Sequence, residues 1–174
     1  MTNNFKQNKS QESILYNKIL SLSRNKLFYT DFNLSDTFHN RIRLIFLHVS
    51  FLFIKIKQKN KDTKYKQFYQ KSFDLIFKQI EINMREIGYG DVTVNKNMKL
   101  LVKIFYDILL NCEKYKDKSF KDKKLFLDNH LITIPDKKCD NNNVLIEYFD
   151  KYHTFCLDLS PNNVLNGDLN FSYN

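Results

Sequence analysis

Apolar residues recur every three or four positions along most of this chain, which is the spacing of helices that bury one face. The pattern predicts helices over about residues 12–25, from just after Ser35 or Asp36 to 57, and over 64–87, 94–116, 124–131 and 143–159. Ser10 is a favourable cap for the first helix, and Gly88 can end the third in a left-handed conformation. Long helices with short connections predict an all-α fold, an antiparallel multi-helix bundle of about five to six helices.

The length of 174 residues suits one domain with a sizeable core. We expect residues 1–11 to form a flexible N-terminus, 12–159 a single helical domain and 160–174 a flexible C-terminal tail. The first eleven residues are polar and lack the apolar core of a signal peptide. The most apolar run, residues 42–56, is shorter than a membrane span and contains polar residues, so it predicts a buried core helix.

Three cysteines, Cys112, Cys139 and Cys156, have neither the spacing of a zinc site nor the number of a disulfide framework. This favours a reducing compartment. Cys112 and Cys156 fall on the apolar stripes of their helices, where we expect them to be buried and inert.

Alternating helix directions place the connections 26–34 and 88–94 at one end of the bundle, here called the motif pole. The opposite end, here called the basic pole, receives residues 55–71, with seven lysines and one aspartate, and 114–124, with six lysines and two aspartates. The net charge of the chain is +9. Contact with a membrane surface or a ribosome through the basic pole is one interpretation, and a solvated lysine surface is the other. Only four arginines occur, which argues against specific DNA binding.

Two stretches at the motif pole depart from the Lys- and Asn-rich background: Phe-Tyr-Thr-Asp-Phe at 28–32 and Arg-Glu-Ile-Gly-Tyr-Gly-Asp at 85–91. The second is not a dinucleotide-binding loop, because it ends a helix and lacks a third glycine. One interpretation is a helix stop followed by a tight turn, with Asp91 or Thr93 capping the next helix. The other is a rigid turn that presents Tyr89 to a partner.

Arg41, His48 and Arg85 approach the motif pole together with several carboxylates, so we expect an arginine–carboxylate network that ties the two stretches together. His48 lies in an apolar run and is interpreted as a core histidine with satisfied hydrogen bonds. No arrangement typical of catalysis, metal binding or a cofactor is visible, so we do not expect an enzyme. The candidate partner-binding or structural residues are Tyr29, Asp31, Asp36, Arg41, His48, Arg85, Glu86, Gly88, Tyr89, Gly90 and Asp91.

These stretches resemble the signatures of a known family, the ubiquinol–cytochrome c chaperones. The first signature is similar to residues 28–32 followed by Asp36-Thr37, Arg41 and Leu47-His48. The second is similar to residues 84–94 followed by Met98 and Phe105-Tyr106. The resemblance covers about residues 12–116. Three positions depart from it: Asn33 and Ser35 stand where the family often has Gly and Pro, and Asn95 where Pro or Gly is common.

The resemblance implies an all-helical, non-enzymatic assembly factor for the cytochrome bc complex, with newly made cytochrome b as its client. Family members in mitochondria also act with a small partner subunit near the ribosomal exit. Since no targeting segment or membrane anchor precedes the first helix, we expect a bacterial-type member in the cytoplasm, with peripheral contact at the inner face of the membrane as an extension. The rival hypothesis is a basic helical RNA- or ribosome-binding protein without a membrane-protein client.

Overall fold

The computed structural model describes residues 10–59, 61–134 and 142–173. It is an all-α helical bundle, as predicted. The α-helices are α1 (Gln11–Ser23), α2 (Leu27–Thr30), α3 (Phe38–Lys57), α4 (Thr63–Glu86), α5 (Asp91–Glu113), α6 (Phe120–His130), α7 (Asn142–Asp158) and α8 (Pro161–Asn166). Residues 1–9, which include most of the expected flexible N-terminus, lie outside the described residues, as does Cys139.

Side-chain caps set several of the helix boundaries. The Ser10 hydroxyl accepts a hydrogen bond from the Ser13 amide and caps α1, as predicted. The cap of α3 is Thr37, whose hydroxyl accepts from the Asn40 amide, and not Ser35 or Asp36. The Asp36 carboxylate is bound to Arg41 instead. The capping prediction for α5 is also wrong.

The cap position of α5 belongs to Gly90. Asp91 is already the first helical residue and pairs with Arg85. Farther along the chain, α6 begins four residues earlier than predicted, because the Ser119 hydroxyl accepts from the Asp122 amide and caps it.

Helix α3 lies at the centre of the bundle and packs against α1, α4, α5, α7 and α8. Every residue from Ile42 to Phe53 is buried. A helix that is apolar all round must be covered on all sides, which is why the other helices surround this one. The interpretation of residues 42–56 as a core helix is thus confirmed, and none of the described helices is long and apolar enough to span a membrane.

His48 connects α3 to α7 in the middle of this core. Its Nδ1 lies 2.6 Å from the Leu44 carbonyl oxygen, and its Nε2 lies 2.8 Å from the Tyr148 hydroxyl. Because a carbonyl can only accept, Nδ1 carries the proton and Nε2 accepts from Tyr148. Complete burial lowers the pKa of His48 to about 4, so the ring is neutral. The prediction of a satisfied core histidine is confirmed.

The expectation of a flexible tail after residue 159 is wrong for the described part of it. Residues Pro161–Asn166 form α8, which packs against α1 and α3. Val164, Leu165 and Leu169 are buried, so this segment completes the core. The local signals were present in the sequence: Ser160 caps the helix, Pro161 occupies its first position, and a glycine follows its end.

Both described cysteines, Cys112 and Cys156, are buried free thiols, as expected. Burial raises the pKa of Cys156 to about 12 and that of Cys112 well above its usual value. Thiols held in this protonated state are poor nucleophiles.

The neutral state of His48 predicts a specific acid sensitivity. Its pKa is about 4 in the folded protein and 6.5 when exposed, so the unfolded chain binds more protons between these values. The free energy of unfolding should therefore fall by up to about 3 kcal/mol as the pH drops from 6.5 to 4. Urea titrations across this range should show a shallower decline for His48→Gln. The other histidines titrate in both proteins, so parallel curves would contradict the assignment.

Gly167 offers a test of the C-terminal packing. Its φ of +70° is left-handed, and an added Cβ would lie 2.5 Å from Cγ2 of Ile14 on α1. Gly167→Ala should therefore lower the free energy of unfolding by about 2–4 kcal/mol, through backbone strain and overpacking. An unchanged urea midpoint would show that the segment does not pack on α1.

Candidate functional site

The connections that carry the two stretches selected from the sequence lie at one end of the bundle, as predicted. There the beginning of α3, the end of α4 and the first half of α5 enclose an open groove of about 340 Å³. Its lining is mostly apolar and consists of Thr37, Phe38, His39, Ile42, Met84, Tyr89, Asn97, Leu100, Leu101 and Ile104. Tyr89 and Leu100 are 41% and 54% exposed, so both reach solvent at the rim.

The turn between α4 and α5 holds Tyr89 in place. Gly88 has a φ of +95°, its amide donates to the Arg85 carbonyl, and the Tyr89 amide donates to the Met84 carbonyl. This pair of bonds is the Schellman arrangement that ends a helix with a left-handed residue. Gly90 then caps α5. The prediction of a helix stop and tight turn is confirmed, and this same turn brings Tyr89 to the groove.

Arg41 and Arg85 each pair with carboxylates that are close to them in the sequence. Arg41 makes a two-pronged contact with Asp36, at 2.7 and 2.9 Å. Arg85 binds Glu81, at 2.9 Å, and also Asp91 across the turn. The expected network tying the two stretches together is therefore wrong. All these side chains are substantially exposed, so each pair contributes little to stability.

The remaining candidates surround these pairs. Tyr29 is half-buried beside Arg41, and burial together with the Asp36 charge raises the pKa of its hydroxyl. Arg41 and Glu86 line a second, smaller depression that shares Phe38 with the groove. Asp31 is exposed at the end of α2. His48 lies in the core and does not line the groove.

A buried polar cluster beside the groove was not anticipated. The Asn40 side chain donates to the carbonyls of Ser35 and Ile132 and accepts from the Ile132 amide, at 2.7–2.9 Å. It thereby fixes residues 131–134, where Thr133 also pairs with Leu34 in an isolated bridge. An asparagine in the first turn of a helix gives no sequence signal for a partner 92 residues away.

Arg43 extends this cluster to α6 and α5. It is 7% exposed and lies 2.9 Å from Nδ1 of His130, whose Nε2 lies 3.1 Å from the Asp107 carboxylate. Arg43 can only donate, so His130 accepts at Nδ1 and donates from Nε2. Burial and the Arg43 charge lower the pKa of His130 and favour this neutral form. These contacts tie α3 to α6 and α5, and none of the three side chains lines the groove.

The lysine-rich segments occupy the opposite end, as predicted. The Lys57 ammonium lies 2.9 Å from Glu113 at the end of α5, and Lys55 and Lys116 line one shared cavity. Within the described residues, no cluster of three or more His, Cys, Asp or Glu side chains could hold a metal ion.

The two glycines of the turn make different predictions. Gly88→Ala should lower the free energy of unfolding by about 1–2 kcal/mol, because an L-residue is strained at this φ. Gly90 has a φ of −71° and open space around it, so Gly90→Ala should cost clearly less. Urea denaturation of both variants provides the measurement. Equal losses would contradict the role given to Gly88.

This architecture is similar to that of known proteins. The family model described as ubiquinol-cytochrome C chaperone matches residues 30–168. The crystal structure of the Cbp3 homolog from Brucella abortus is similar, with a TM-score of 0.75 and 22% identity over 94% of this chain and 89% of that one. At this identity the likeness establishes the fold. Comparison with curated proteins gives no significant match. Because the family model spans most of the sequence, the chain belongs to the ubiquinol-cytochrome c chaperone family.

Proposed function

We propose that this protein is an assembly chaperone for the cytochrome bc complex and that its client is newly made cytochrome b. Membership of the chaperone family supports the first part. The observation that carries the second is the open apolar groove at the motif pole. An unassembled membrane protein exposes apolar segments, and an open apolar groove is a surface on which such a segment can be held away from water.

The size of the groove indicates how such a client would be held. A volume of about 340 Å³ is near the lower end of small-molecule pockets, so it accommodates a few side chains and not a whole helix. The client segment would therefore lie across the rim and insert one or two large apolar side chains. Phe38 and Tyr89 offer aromatic contact area of the kind that dominates binding at interfaces.

Within this proposal the candidate residues divide into two roles. Tyr89 is the contact residue, and Gly88 and Gly90 shape the turn that presents it. The exposed ion pairs of Arg41 and Arg85 are local contacts in these connections and add little to stability. The proposed function requires only that the client is bound and released. The protein would therefore act as an assembly factor and not as an enzyme.

A matched pair of substitutions tests the groove. Leu100 lies at the groove and is 54% exposed, while Leu125 on α6 is 58% exposed and lies outside it. Leu100→Ser should reduce copurification of cytochrome b by about tenfold, as expected for one truncated apolar contact at a binding hot spot. It should also lower the level of assembled complex. Leu125→Ser should change neither, and both variants should keep the parent melting temperature.

Equal cytochrome b recovery with the two variants would contradict the groove as the binding surface. A normal level of cytochrome bc complex after deletion of the gene would contradict the function itself.

The rival hypothesis is binding of RNA or ribosomes through the basic pole. The dependence of binding affinity on salt concentration distinguishes it from client binding. Phosphate contacts would give a steep, sequence-independent fall of RNA affinity with rising salt. Binding of an apolar client through the groove should change little over the same range. RNA binding of this kind without recovery of cytochrome b would favour the rival.

A further inference from the structure

The solvent face of α5 carries a continuous stripe of exposed residues that combines lysines with aliphatic and aromatic side chains. Six residues recur at alternating intervals of four and three positions and therefore lie on one side of the helix: Val92, Lys96, Lys99, Lys103, Tyr106 and Leu110. All six are exposed, and Val92 and Leu110 reach 83% and 57%. With a rise of about 1.5 Å per residue, the stripe is about 27 Å long. It is convex and lies beside the groove.

The positive charge of this stripe is not neutralised by any residue that the structure describes. No Asp or Glu occurs between Asp91 and Asp107. None of the three lysines of the stripe takes part in an ion pair with any described residue. The stripe is therefore a free cationic surface.

A few lysines of the basic pole differ in this respect. Lys57 and Lys123 pair with Glu113 and Asp150, and Lys118 bonds to the Asn111 side chain. Lys55 donates to a backbone carbonyl. Of the thirteen lysines in residues 55–71 and 114–124, Lys57 and Lys123 are the ones whose pairing with a carboxylate lies within the described residues, so the α5 stripe is distinguished by its residue types and their alignment and not by unpaired charge alone.

The combination of lysines, aliphatic side chains and a tyrosine indicates which class of partner the stripe can bind. At a bilayer surface, exposed aliphatic side chains enter the acyl boundary, a tyrosine ring lies among the headgroups, and lysines approach lipid phosphates. Every member of the stripe has a role in such a contact. RNA would engage the lysines and stack on Tyr106, but it would leave Val92 and Leu110 facing water.

We propose that this α5 stripe is a docking surface for an anionic membrane. Leu100 borders both the stripe and the groove, so docking would hold the groove opening beside the bilayer. A membrane-protein segment could then pass from the bilayer to the groove over a short distance. That consequence rests on the proposed function, whereas the docking itself does not require a client.

Vesicle binding by the full chain tests the proposal. Cosedimentation would compare vesicles of phosphatidylcholine with vesicles containing about 30% phosphatidylglycerol as the anionic lipid. The charge variant is Lys96→Gln/Lys99→Gln/Lys103→Gln. Its matched control, Lys59→Gln/Lys61→Gln/Lys64→Gln, removes the same charge from exposed positions at the basic pole.

We expect the charge variant to bind the anionic vesicles roughly 10- to 100-fold more weakly and the control to bind nearly as the parent does. Parent binding should weaken with salt and be lost on phosphatidylcholine alone. Val92→Ser/Leu110→Ser keeps the charge and should weaken binding about tenfold through the lost apolar contact. Circular dichroism and melting verify that each variant is folded.

Several results would overturn the proposal. They are equal binding of the charge variant and the parent, loss of binding in the basic-pole control alone, or equal binding to neutral vesicles. A parent protein that ignores vesicles but binds polyglutamate or polyuridylate through the same lysines would assign the stripe to an acidic protein or to RNA. Because no client is present, none of these results depends on the function proposed for the groove.

Discussion

Helix α3 is apolar at nine of the twelve positions from Ile42 to Phe53, on all of its sides, so the chain can keep this helix out of water only by covering it all round. The arrangement of the other helices follows from that requirement. Helices α1, α4, α5 and α7 each have one apolar face and lay it on α3. The short α8 covers the area that remains, because Val164 and Leu165 would otherwise face solvent.

Because α3 is covered on all sides, a polar side chain on this helix is buried and needs hydrogen-bond partners within the protein. His48 is tolerated because both ring nitrogens are engaged and the ring stays neutral. Asn40 and Arg43, nearer the motif pole, are tolerated because they bind residues 130–132, which close that end of the bundle. Buried polar groups with fixed partners specify one arrangement of neighbouring segments, since any other leaves them unpaired.

The motif pole and the α5 stripe show two different uses of exposed apolar residues. At the groove, Tyr89 and Leu100 stand at the rim of a concave surface that can enclose a side chain. On the stripe, Val92 and Leu110 stand on a convex helix among lysines. A concave surface can enclose a side chain of a binding partner. The apolar side chains of a convex surface are buried only when they insert into a lipid bilayer or into the surface of a partner. The two surfaces lie side by side because α5 contributes to both.

The sequence by itself determined the all-α class, the number and approximate limits of the long helices, the burial of residues 42–56 and the stop at Gly88. These follow from periodicity and local backbone chemistry, which act over a few residues. Only the tertiary structure decided that Arg41 and Arg85 pair locally, that Asn40 and Arg43 hold a segment some ninety residues away, and that residues 161–173 pack on the core. Such contacts depend on which surfaces meet after the helices pack around α3. The spacing of residue types along the chain does not show which distant residues will become neighbours.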